Sequence, residues 1–455
     1  MKKVLKQLLF LFLLLTSLLL GAGEFRIAAT ADLHGNLHNL ACLAPRIRQS
    51  DPHILVDAGD LTGGNLLAEL DGGRAMIGAL NLLKYNFRVP GNHDFDMAQK
   101  DFAGQCRAFK GVTLGGDWRW GECAGVPYSI VSKGKFRVGI IGLTEPNIQR
   151  RHLDWEGAPR FYPWERVLQL TLEELRREKV NFIVLIWHNG ITAEPFGVRS
   201  SMRFLAGVDL VIGAHSHREH RGSRAGKVNF VQPGPHGTSA ALVTIHFNDK
   251  TLQTEKVSTL LIRGIKDQPA RDIKTLERRC EREYAGRIYQ TVCRKGDLTP
   301  RNFPRLGAQA LKEAVGTQGA VFVSQQGDRT LDSARSYKDL FRLLPYWNNL
   351  CRVTLSRVEL FELLRDLHRN NQRFRRTTGV AGFSWNPGKG KTSGSLKAPG
   401  TISIAVSSYL MVSSPVLKRI LPDKSRWFRL EITERDAVEA FLRKRVTHRS
   451  PRQGK

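Results

Sequence analysis

The sequence predicts an α/β protein built from two domains. Its 455 residues exceed the length of one ordinary domain. In the first half, short apolar runs typical of strands alternate with amphipathic patterns typical of helices, which indicates a layered α/β domain. After about residue 266 the strand signal stops, and a second α/β pattern begins around Arg301. The composition, 41% hydrophobic and 25% charged, is typical of a globular protein.

The N-terminus has the three parts of a secretory signal peptide. Lys2, Lys3 and Lys6 precede a Leu/Phe run over residues 8–15, and small residues follow at positions 21–23. We therefore predict a signal peptide over residues 1–23 and a periplasmic or secreted protein. The apolar run is shorter than the ~20 residues of a membrane span. An uncleaved N-terminal anchor remains the alternative.

Five apolar runs of the first half are each followed by Asp, His or Asn. In α/β sheets the carboxyl ends of strands are where ligands bind. The polar residues at these ends are Asp32, His34, Asp60, Asn92, His188, His215 and His217. Carboxylate oxygens and imidazole nitrogens suit hard and borderline divalent cations. Seven such groups are too many for one tetrahedral ion, so they predict two cations with a shared carboxylate.

His93 directly follows Asn92, and Asp96 stands three residues further on. This spacing allows the carboxylate to fix the imidazole, so that His93 could stabilise phosphoryl oxygens or protonate a leaving group. Six other histidines are expected mostly at the surface or satisfied internally: His38, His53, His152, His220, His236 and His246.

Helical patterns separate the strands. Residues 165–177 predict a helix before the strand that ends at His188, and residues 200–206 predict a shorter one. Residues 272–289 are charged and helical, which suits a connector between domains. The second domain has helical patterns at residues 311–315 and 358–364, and strand patterns at residues 353–355 and 402–406. Residues 386–400, rich in Gly, Lys, Ser and Pro, predict an exposed loop.

Charge and cysteine content restrict partners and compartment. The net charge is +28, most of it after residue 270, which favours an anionic partner. The sequence contains no RNA-binding motif in which aromatic residues alternate with basic ones, so we expect no dedicated nucleic-acid module. The six cysteines could form disulfides in an oxidising compartment, and Cys106 with Cys123 and Cys280 with Cys293 are the closest pairs in sequence. Free buried thiols are the equal alternative.

The motifs resemble a known family. Asp32-Leu33-His34, Gly59-Asp60, Gly91-Asn92-His93-Asp94, His188 and His215-Ser216-His217 resemble the signature of calcineurin-like metallophosphoesterases. Their order and spacing, with a basic C-terminal domain, resemble the exported bacterial 5′-nucleotidase family. The resemblance implies a four-layer α/β/β/α sandwich over residues 24–265, a connector helix over residues 266–292, and an α/β substrate-binding domain with a basic tail over residues 293–455.

The resemblance also implies a ligand set and a reaction. It assigns Asp32, His34, Asp60 and His217 to one divalent cation, and Asp60, Asn92, His188 and His215 to a second. His93 and Asp96 match the catalytic dyad of the family, and the cations would be Mn²⁺, Zn²⁺ or similar. The implied reaction is attack by metal-bound hydroxide on the phosphorus of a nucleotide, a UDP-sugar or a 2′,3′-cyclic nucleotide.

Resemblance in the substrate pocket is weaker. It points to Tyr346 and Tyr409 as aromatics that stack on a base, and to Arg329 and Arg301 as substrate-binding cations. Residues 324–328 lack the family's glycine run, and residues 413–416 lack an acidic group that touches the substrate. The preferred substrate therefore stays open. Two alternatives are a thiosulfohydrolase of the same superfamily and a non-catalytic exported protein that binds anions.

Overall fold

The structure is a computed structural model that describes residues 22–148, 157–192, 197–299, 301–325, 333–374, 376–386, 391–394 and 400–448. The chain divides into two compact units, the first within residues 1–281 and the second chiefly within residues 282–455. The signal peptide predicted over residues 1–23 lies almost entirely outside the described residues. No described helix has the length and apolar character needed to cross a membrane.

Two six-stranded sheets and one small sheet form the first unit. The strands are β1 (Ala22–Thr30), β2 (Ile54–Asp57), β3 (Phe87–Arg88), β4 (Val112–Thr113), β5 (Trp118–Trp120), β6 (Cys123–Ala124), β7 (Tyr128–Lys133), β8 (Phe136–Leu143), β9 (Arg160–Phe161), β10 (Phe182–Trp187), β11 (Leu210–Ile212), β12 (His220–Ala225), β13 (Val228–Gln232), β14 (Ser239–Asn248) and β15 (Thr254–Arg263). The sheet orders are β15-β14-β1-β2-β3-β4, β12-β13-β11-β10-β8-β7 and β6-β5-β9.

The two large sheets pack face to face over one apolar core. Strands β1 to β4 are parallel, as are β8, β10, β11 and β13, whereas the outer strands pair antiparallel. Phe136 of β8 stacks on Phe247 of β14 with ring centroids 3.9 Å apart, so the core joins both sheets. All six residues of β10 are buried because both faces of a parallel strand are covered.

Helices cover the outer faces of this unit. They are α1 (Leu37–Gln49), α2 (Leu66–Leu70), α3 (Arg74–Leu82), α4 (Gln99–Ala108), α5 (Trp164–Arg177) and α6 (Arg271–Ile288), whose residues after Glu281 belong to the second unit. The apolar stripe of α5 packs against the second sheet, where Gly139 of β8 leaves room for Leu175. Helices α5 and α6 lie where the sequence predicts them. Residues 200–206 are not an α-helix, since Val198–Phe204 forms 3₁₀ turns instead.

The second unit contains a mixed five-stranded sheet of order β18-β16-β21-β17-β22. Its strands are β16 (Gly319–Gln325), β17 (Asn349–Ser356), β18 (Arg376–Ala381), β21 (Thr401–Ser407) and β22 (Trp427–Thr433), with a separate hairpin of β19 (Phe383–Asn386) and β20 (Lys391–Gly394). Its helices are α7 (Phe303–Val315), α8 (Tyr337–Leu343), α9 (Arg357–Phe374), α10 (Ser408–Ser413), α11 (Pro415–Lys418) and α12 (Glu434–His448). The apolar faces of β17, β21 and α9 share one core.

One expectation for this unit is wrong over residues 391–394, the main part of it that the structure describes. Residues 386–400 were expected to form an exposed loop, yet β20 pairs antiparallel with β19, and Thr392 lies opposite Trp385. The abundance of Gly, Ser and Lys suggests a loop. A hairpin strand, however, is stabilised by its partner through the backbone ladder rather than by its own composition.

Candidate metal centre

The predicted metal ligands lie on loops that follow β1, β2, β3, β10 and β11, and main-chain hydrogen bonds join several of these loops. The amide of Asp32 donates to Gly59 O at 2.8 Å, and the amide of His34 donates to Asp60 O at 2.9 Å. The amide of His215 donates to both carboxylate oxygens of Asp32, at 2.9 and 3.1 Å. The backbone thus brings ligand residues from both sheets together.

These residues form two groups that share one carboxylate. Within each group one ligand atom per residue lies within 4.8 Å of all the others. The first group is Asp32, His34, Asp60 and His217, and the second is Asp60, His188 and His215. Asp60 is 1% exposed and belongs to both groups. A shared carboxylate between two ligand sets is the arrangement that holds a pair of cations.

The ring nitrogens of these histidines point at one another and at the carboxylates. His188 Nε2 lies 3.2 Å from Asp60 Oδ2, and His34 Nε2 lies 3.0 Å from His217 Nε2. His34 Nδ1 faces Gly63 O at 2.6 Å, and His188 Nδ1 faces Ala58 O at 2.8 Å. A carbonyl only accepts, so both Nδ1 atoms donate. The Nε2 atom of each ring is therefore the one left to bind a cation.

The electrostatics of the cluster keep several ligands in the form that binds metal. Burial would raise the pKa of Asp60, but His188, His93 and His34 together hold that pKa well below its usual value. Burial lowers the pKa of His34. Burial and the neighbouring His34 lower the pKa of His217 to about 4. The ionised Asp60 beside the neutral His34 and His217 is the protonation state that metal binding requires. His188 differs, because Asp60 outweighs the effect of burial and raises the pKa of His188 to about 10, so His188 would give up a proton to bind a cation.

One buried polar atom gives an independent test of the fit. Asn92 Oδ1 is buried and has no hydrogen-bond partner among the described residues. Buried polar atoms in native proteins are normally satisfied, and a bound ion is one of the explanations for an orphan. Asn92 belongs to the second predicted ligand set, and an amide oxygen in a set with imidazole nitrogens suits a divalent cation. The residues present therefore fit the predicted cations.

The predicted dyad is assembled beside this cluster. His93 Nδ1 lies 2.6 Å from Asp96 Oδ2, and the His93 amide donates to Asp60 Oδ1 at 2.8 Å. The His93 ring lies 5.5 Å from the His34 ring. Burial would lower the pKa of His93, but Asp60 and Asp96 outweigh it and raise that pKa to about 9. The imidazole is therefore cationic at neutral pH and adjoins the metal ligands.

Asp94, which the sequence analysis did not single out, connects two of the ligand loops. Its carboxylate accepts from the amides of Gly91 at 2.9 Å, Leu61 at 3.3 Å and Thr62 at 3.2 Å, and from the Thr62 hydroxyl at 3.0 Å. These four bonds join the loop after β2 to the Asn92–Phe95 turn. Asp94 is 3% exposed, so it positions ligands rather than contacting solvent.

His236 also adjoins the cluster, although it was expected to be a surface or internally satisfied histidine. Its side chain is exposed, but its ring lies 5.2 Å from the His34 ring and 5.4 Å from the His217 ring. Its amide donates to Asp32 O at 2.7 Å. The Pro235-His236-Gly237 turn was the only sequence signal, and it indicates a turn rather than a site.

The backbone is strained at this cluster. The described residues include ten non-glycine positions with positive φ, and six of these lie at the site: Asp32, His34, Asp60, His215, His217 and His236. Such conformations cost free energy and persist where surrounding contacts enforce them, often at functional sites. The concentration of strain supports a functional role for the same residues.

The predicted substrate residues lie in the second unit. Tyr346 and Tyr409 are 53% and 40% exposed, and Arg301 is exposed just before α7. Arg329 and residues 326–328 lie outside the described residues. Residues 413–416 belong to α10, α11 and the join between them. Exposure makes the two tyrosines available to a ligand, and their role in binding remains a prediction.

Comparison with known proteins identifies the first unit. Residues 25–219 match the sequence profile of calcineurin-like phosphoesterases. The chain carries a calcineurin-like metallophosphoesterase domain. This domain contains every predicted metal ligand and both residues of the dyad.

Individual relatives match mainly this metallophosphoesterase domain. The trifunctional nucleotide phosphoesterase YfkN of Bacillus subtilis is 27% identical over 240 residues, which cover 42% of this chain and 16% of that protein. The 5′-nucleotidase of Bos taurus is 27% identical over 200 residues, covering 40% of this chain and 33% of that protein. The matched region is thus at most a third of either relative.

Solved structures match both units. A putative 5′-nucleotidase from Staphylococcus aureus has a TM-score of 0.71 at 18% identity, covering 92% of this chain and 96% of that one. The sulfate thiohydrolase SoxB of Thermus thermophilus has a TM-score of 0.62 at 14% identity, covering 93% and 94%. The fold is therefore the two-domain fold of 5′-nucleotidases, and it is shared by enzymes named for different substrates.

Proposed function

We propose that this chain is a divalent-metal-dependent phosphoester hydrolase that acts on nucleotides. The observation that carries the proposal is the sharing of Asp60 between two ligand groups, with His93 held by Asp96 beside them. Relatives named as nucleotide phosphoesterase and 5′-nucleotidase support a nucleotide as the substrate.

The two ligand groups, with Asn92 added to the second, would hold two cations such as Mn²⁺ or Zn²⁺. When bound, such a pair acidifies a coordinated water and neutralises charge on a phosphoryl group during in-line displacement. Asp60 would bridge the pair because its carboxylate already faces His34 and His188. Asp94 would hold the loop that carries Asp60 next to the loop that carries Asn92.

His93 would act on the substrate through its second ring nitrogen. Asp96 binds Nδ1, and we assign the contact with a phosphoryl oxygen or with the leaving oxygen to Nε2. The protonated ring would first balance charge on the phosphoryl group and then give its Nε2 proton to the departing alkoxide. The His93 side chain is 28% exposed, which leaves it accessible to a substrate.

Tyr346, Tyr409, Arg301 and Arg329 are the proposed contacts to the nucleoside and its charge. Stacking of a base on an aromatic ring contributes about 1–3 kcal/mol. The departures at residues 324–328 and 413–416 affect this pocket rather than the metal ligands. We therefore assign the reaction as phosphoester hydrolysis and leave the choice of nucleotide to a substrate panel.

The test is a substrate panel on the purified full chain. The protein is loaded with Mn²⁺ or Zn²⁺, and its metal content is measured. Phosphate release is followed from AMP, and the nucleoside monophosphate formed from a UDP-sugar or from a 2′,3′-cyclic nucleotide is followed by chromatography. Sulfate release from a cysteine thiosulfonate completes the panel. We expect hydrolysis of at least one ester and a loss of about 100-fold or more in Asp60→Asn. Metal-loaded protein that hydrolyses no phosphoester would refute the proposal.

The same panel separates the two alternatives. A thiosulfohydrolase, favoured by the altered pocket and by the structural likeness to SoxB, would release sulfate from a protein-bound cysteine thiosulfonate and leave the nucleotides intact. A non-catalytic anion-binding protein would bind nucleotides with no turnover. His93→Ala distinguishes catalysis at this site from a contaminating phosphatase, because only the former loses activity.

We propose further that the protein is exported. N-terminal sequencing of the protein recovered from the periplasm or the medium should show a start near residue 24. Recovery in the membrane fraction with an intact N-terminus would instead favour the uncleaved anchor.

A further inference from the structure

We propose that Cys106 and Cys123 form a disulfide bond that links helix α4 to the β5–β6 hairpin. The pair lies outside the metal centre and takes no part in the proposed reaction. The bond would join two elements that pack on one aromatic cluster, which consists of Phe95, Phe102, Trp118 and Trp120.

The two cysteines reach each other through the packing of this aromatic cluster. Phe102 and Cys106 are four residues apart on α4 and therefore share one face of the helix. The Phe102 ring packs on Trp120 of β5 with centroids 5.3 Å apart. Cys123 of β6 lies opposite Trp120 in the hairpin. Both cysteines pack on the cluster itself, so the fold holds them on the same side of it.

The thiols are already in contact. The Cys106 and Cys123 side chains share a hydrogen bond, and Arg88 Nη2 donates to Cys106 Sγ at 3.4 Å. Both cysteines are half-buried, which leaves their sulfurs within reach of a small oxidant. Paired thiols in contact and partly exposed are the geometry from which a disulfide forms with little movement.

The other four cysteines are buried in different surroundings. The Cys42 thiol donates to Lys266 O, that of Cys280 to Asp71 and that of Cys293 to Ala334 O. Cys351 lies in the core of the second unit. The second pair suggested by sequence, Cys280 with Cys293, therefore has its sulfurs on separate oxygen acceptors. The structure thus selects Cys106 with Cys123 among the pairings that the sequence left open.

The reaction is a thiol–disulfide exchange with an external disulfide, either glutathione disulfide or an exposed protein disulfide. One thiolate attacks a sulfur of the oxidant, which breaks the disulfide bond of the oxidant, forms a mixed disulfide and releases the first reduced thiol. The second cysteine then displaces the other half of the oxidant. Two cysteine thiols are oxidised to one disulfide, the oxidant is reduced to two thiols, and protons are conserved.

We expect the disulfide to stabilise the aromatic cluster, which includes Phe95 and therefore adjoins the segment that carries His93 and Asp96. The bond closes the loop between residues 106 and 123, and a loop of this length gives measurable stabilisation in the chain-entropy model. Phe95 stands between Asp94 and Asp96, and its ring packs on Phe102 at 5.2 Å. We expect oxidised protein to melt about 5 °C above reduced protein.

The experiment uses the full chain treated with glutathione disulfide or with dithiothreitol. After denaturation, free thiols are alkylated and counted by mass spectrometry, and the proteolytic peptides are mapped. We expect four alkylated cysteines and one linked peptide joining Cys106 to Cys123 in oxidised protein, against six alkylated cysteines after reduction. Cys106→Ser and Cys123→Ser should each melt at the reduced temperature under both conditions, whereas Cys42→Ser should keep the difference.

Six free thiols after oxidation, or a linked peptide that joins other cysteines, would overturn the proposal. The thiol count is made on unsubstituted protein, so it decides the question even where a serine variant fails to fold. The result does not depend on the proposed phosphoesterase activity.

Discussion

The substitution Gly91→Ala tests whether Asp60 is the shared ligand. Gly91 has φ −90° and ψ −177°, a conformation that alanine adopts without strain, so the substitution adds one methyl group and nothing else. That methyl carbon would stand 2.2 Å from Asp60 Oδ1, 2.4 Å from the Asp60 amide nitrogen and 2.6 Å from His188 Cε1. The perturbation therefore falls on the carboxylate and the backbone of Asp60, which joins the two ligand groups, and on the neighbouring His188 ring.

The magnitude follows from these distances. Real Cβ contacts essentially never fall under 3.0 Å, so the Asp60 carboxylate must retreat by nearly 1 Å from its place between the two groups. A displacement of about 1 Å at a catalytic centre costs on the order of 100-fold in rate. Disturbing the support of a ligand typically lowers metal affinity 10- to 100-fold. We therefore expect about a 100-fold loss in kcat/KM together with weaker metal binding.

The assay combines metal titration with phosphate release from the best ester of the substrate panel. Gly104→Ala is the matched control, because it makes the same chemical change in the interior of α4 with no atom within 4 Å of the new methyl group. The control should keep full activity and gain about 0.5–1 kcal/mol of stability, since alanine favours a helix over glycine. Thermal unfolding confirms that both variants are folded.

A folded Gly91→Ala protein with the metal affinity and turnover of the unsubstituted chain would refute the reasoning. It would mean that moving the Asp60 carboxylate changes neither metal affinity nor the rate of hydrolysis. The assignment of Asp60 as the bridging ligand would then be wrong, even if the other ligands were correct.

Three further predictions concern stability and the rim of the site. Arg426 donates two hydrogen bonds to Glu359, at 3.0 and 2.6 Å, and lowers the pKa of that carboxyl to about 2. Since the pKa is lower in the folded protein, the stabilisation is present above the usual pKa of 4.5 and is lost as the pH falls towards 2. Glu359→Gln should cost about 1 kcal/mol at pH 7 and almost nothing near pH 2 in urea unfolding followed by circular dichroism, and an equal cost at both pH values would contradict this. Phe95→Ala, at a ring that is 2% exposed, should lower the free energy of unfolding by about 3–5 kcal/mol in the same assay, and a loss under 1 kcal/mol would show that the aromatic cluster is dispensable. His236→Ala should weaken cation binding a few-fold in metal titration because its ring packs on His34, whereas unchanged affinity would leave His236 without a role there.

The sequence could predict the ligands because of where they stand on their strands. Asp32 and Asp60 follow β1 and β2, and His188 and His215 follow β10 and β11. Within each sheet these strands are parallel, so their carboxyl ends meet at one edge. The sequence does not say which strands share a sheet. The prediction did not need this, because the two sheets pack face to face with both edges on the same side of the core.

The residues that were missed depend on contacts that no spacing reveals. His236 lies on the turn between β13 of one sheet and β14 of the other, and only that crossover brings its amide to Asp32 O. Asp94 looks like an ordinary turn residue until its four hydrogen bonds to two loops are seen. The hairpin strand β20 was missed because its stability comes from pairing with β19.

Contacts within the chain hold the ligands of the metal centre in place. Six positions hold left-handed backbone conformations, each costing on the order of 1 kcal/mol, and hydrogen bonds from neighbouring loops enforce them. His34 and His188 are oriented by carbonyl oxygens, and Asp32 by the amide of His215. Partners of this kind fix the tautomer and the direction of a ligand, so replacing them should lower metal affinity although they bind no cation themselves.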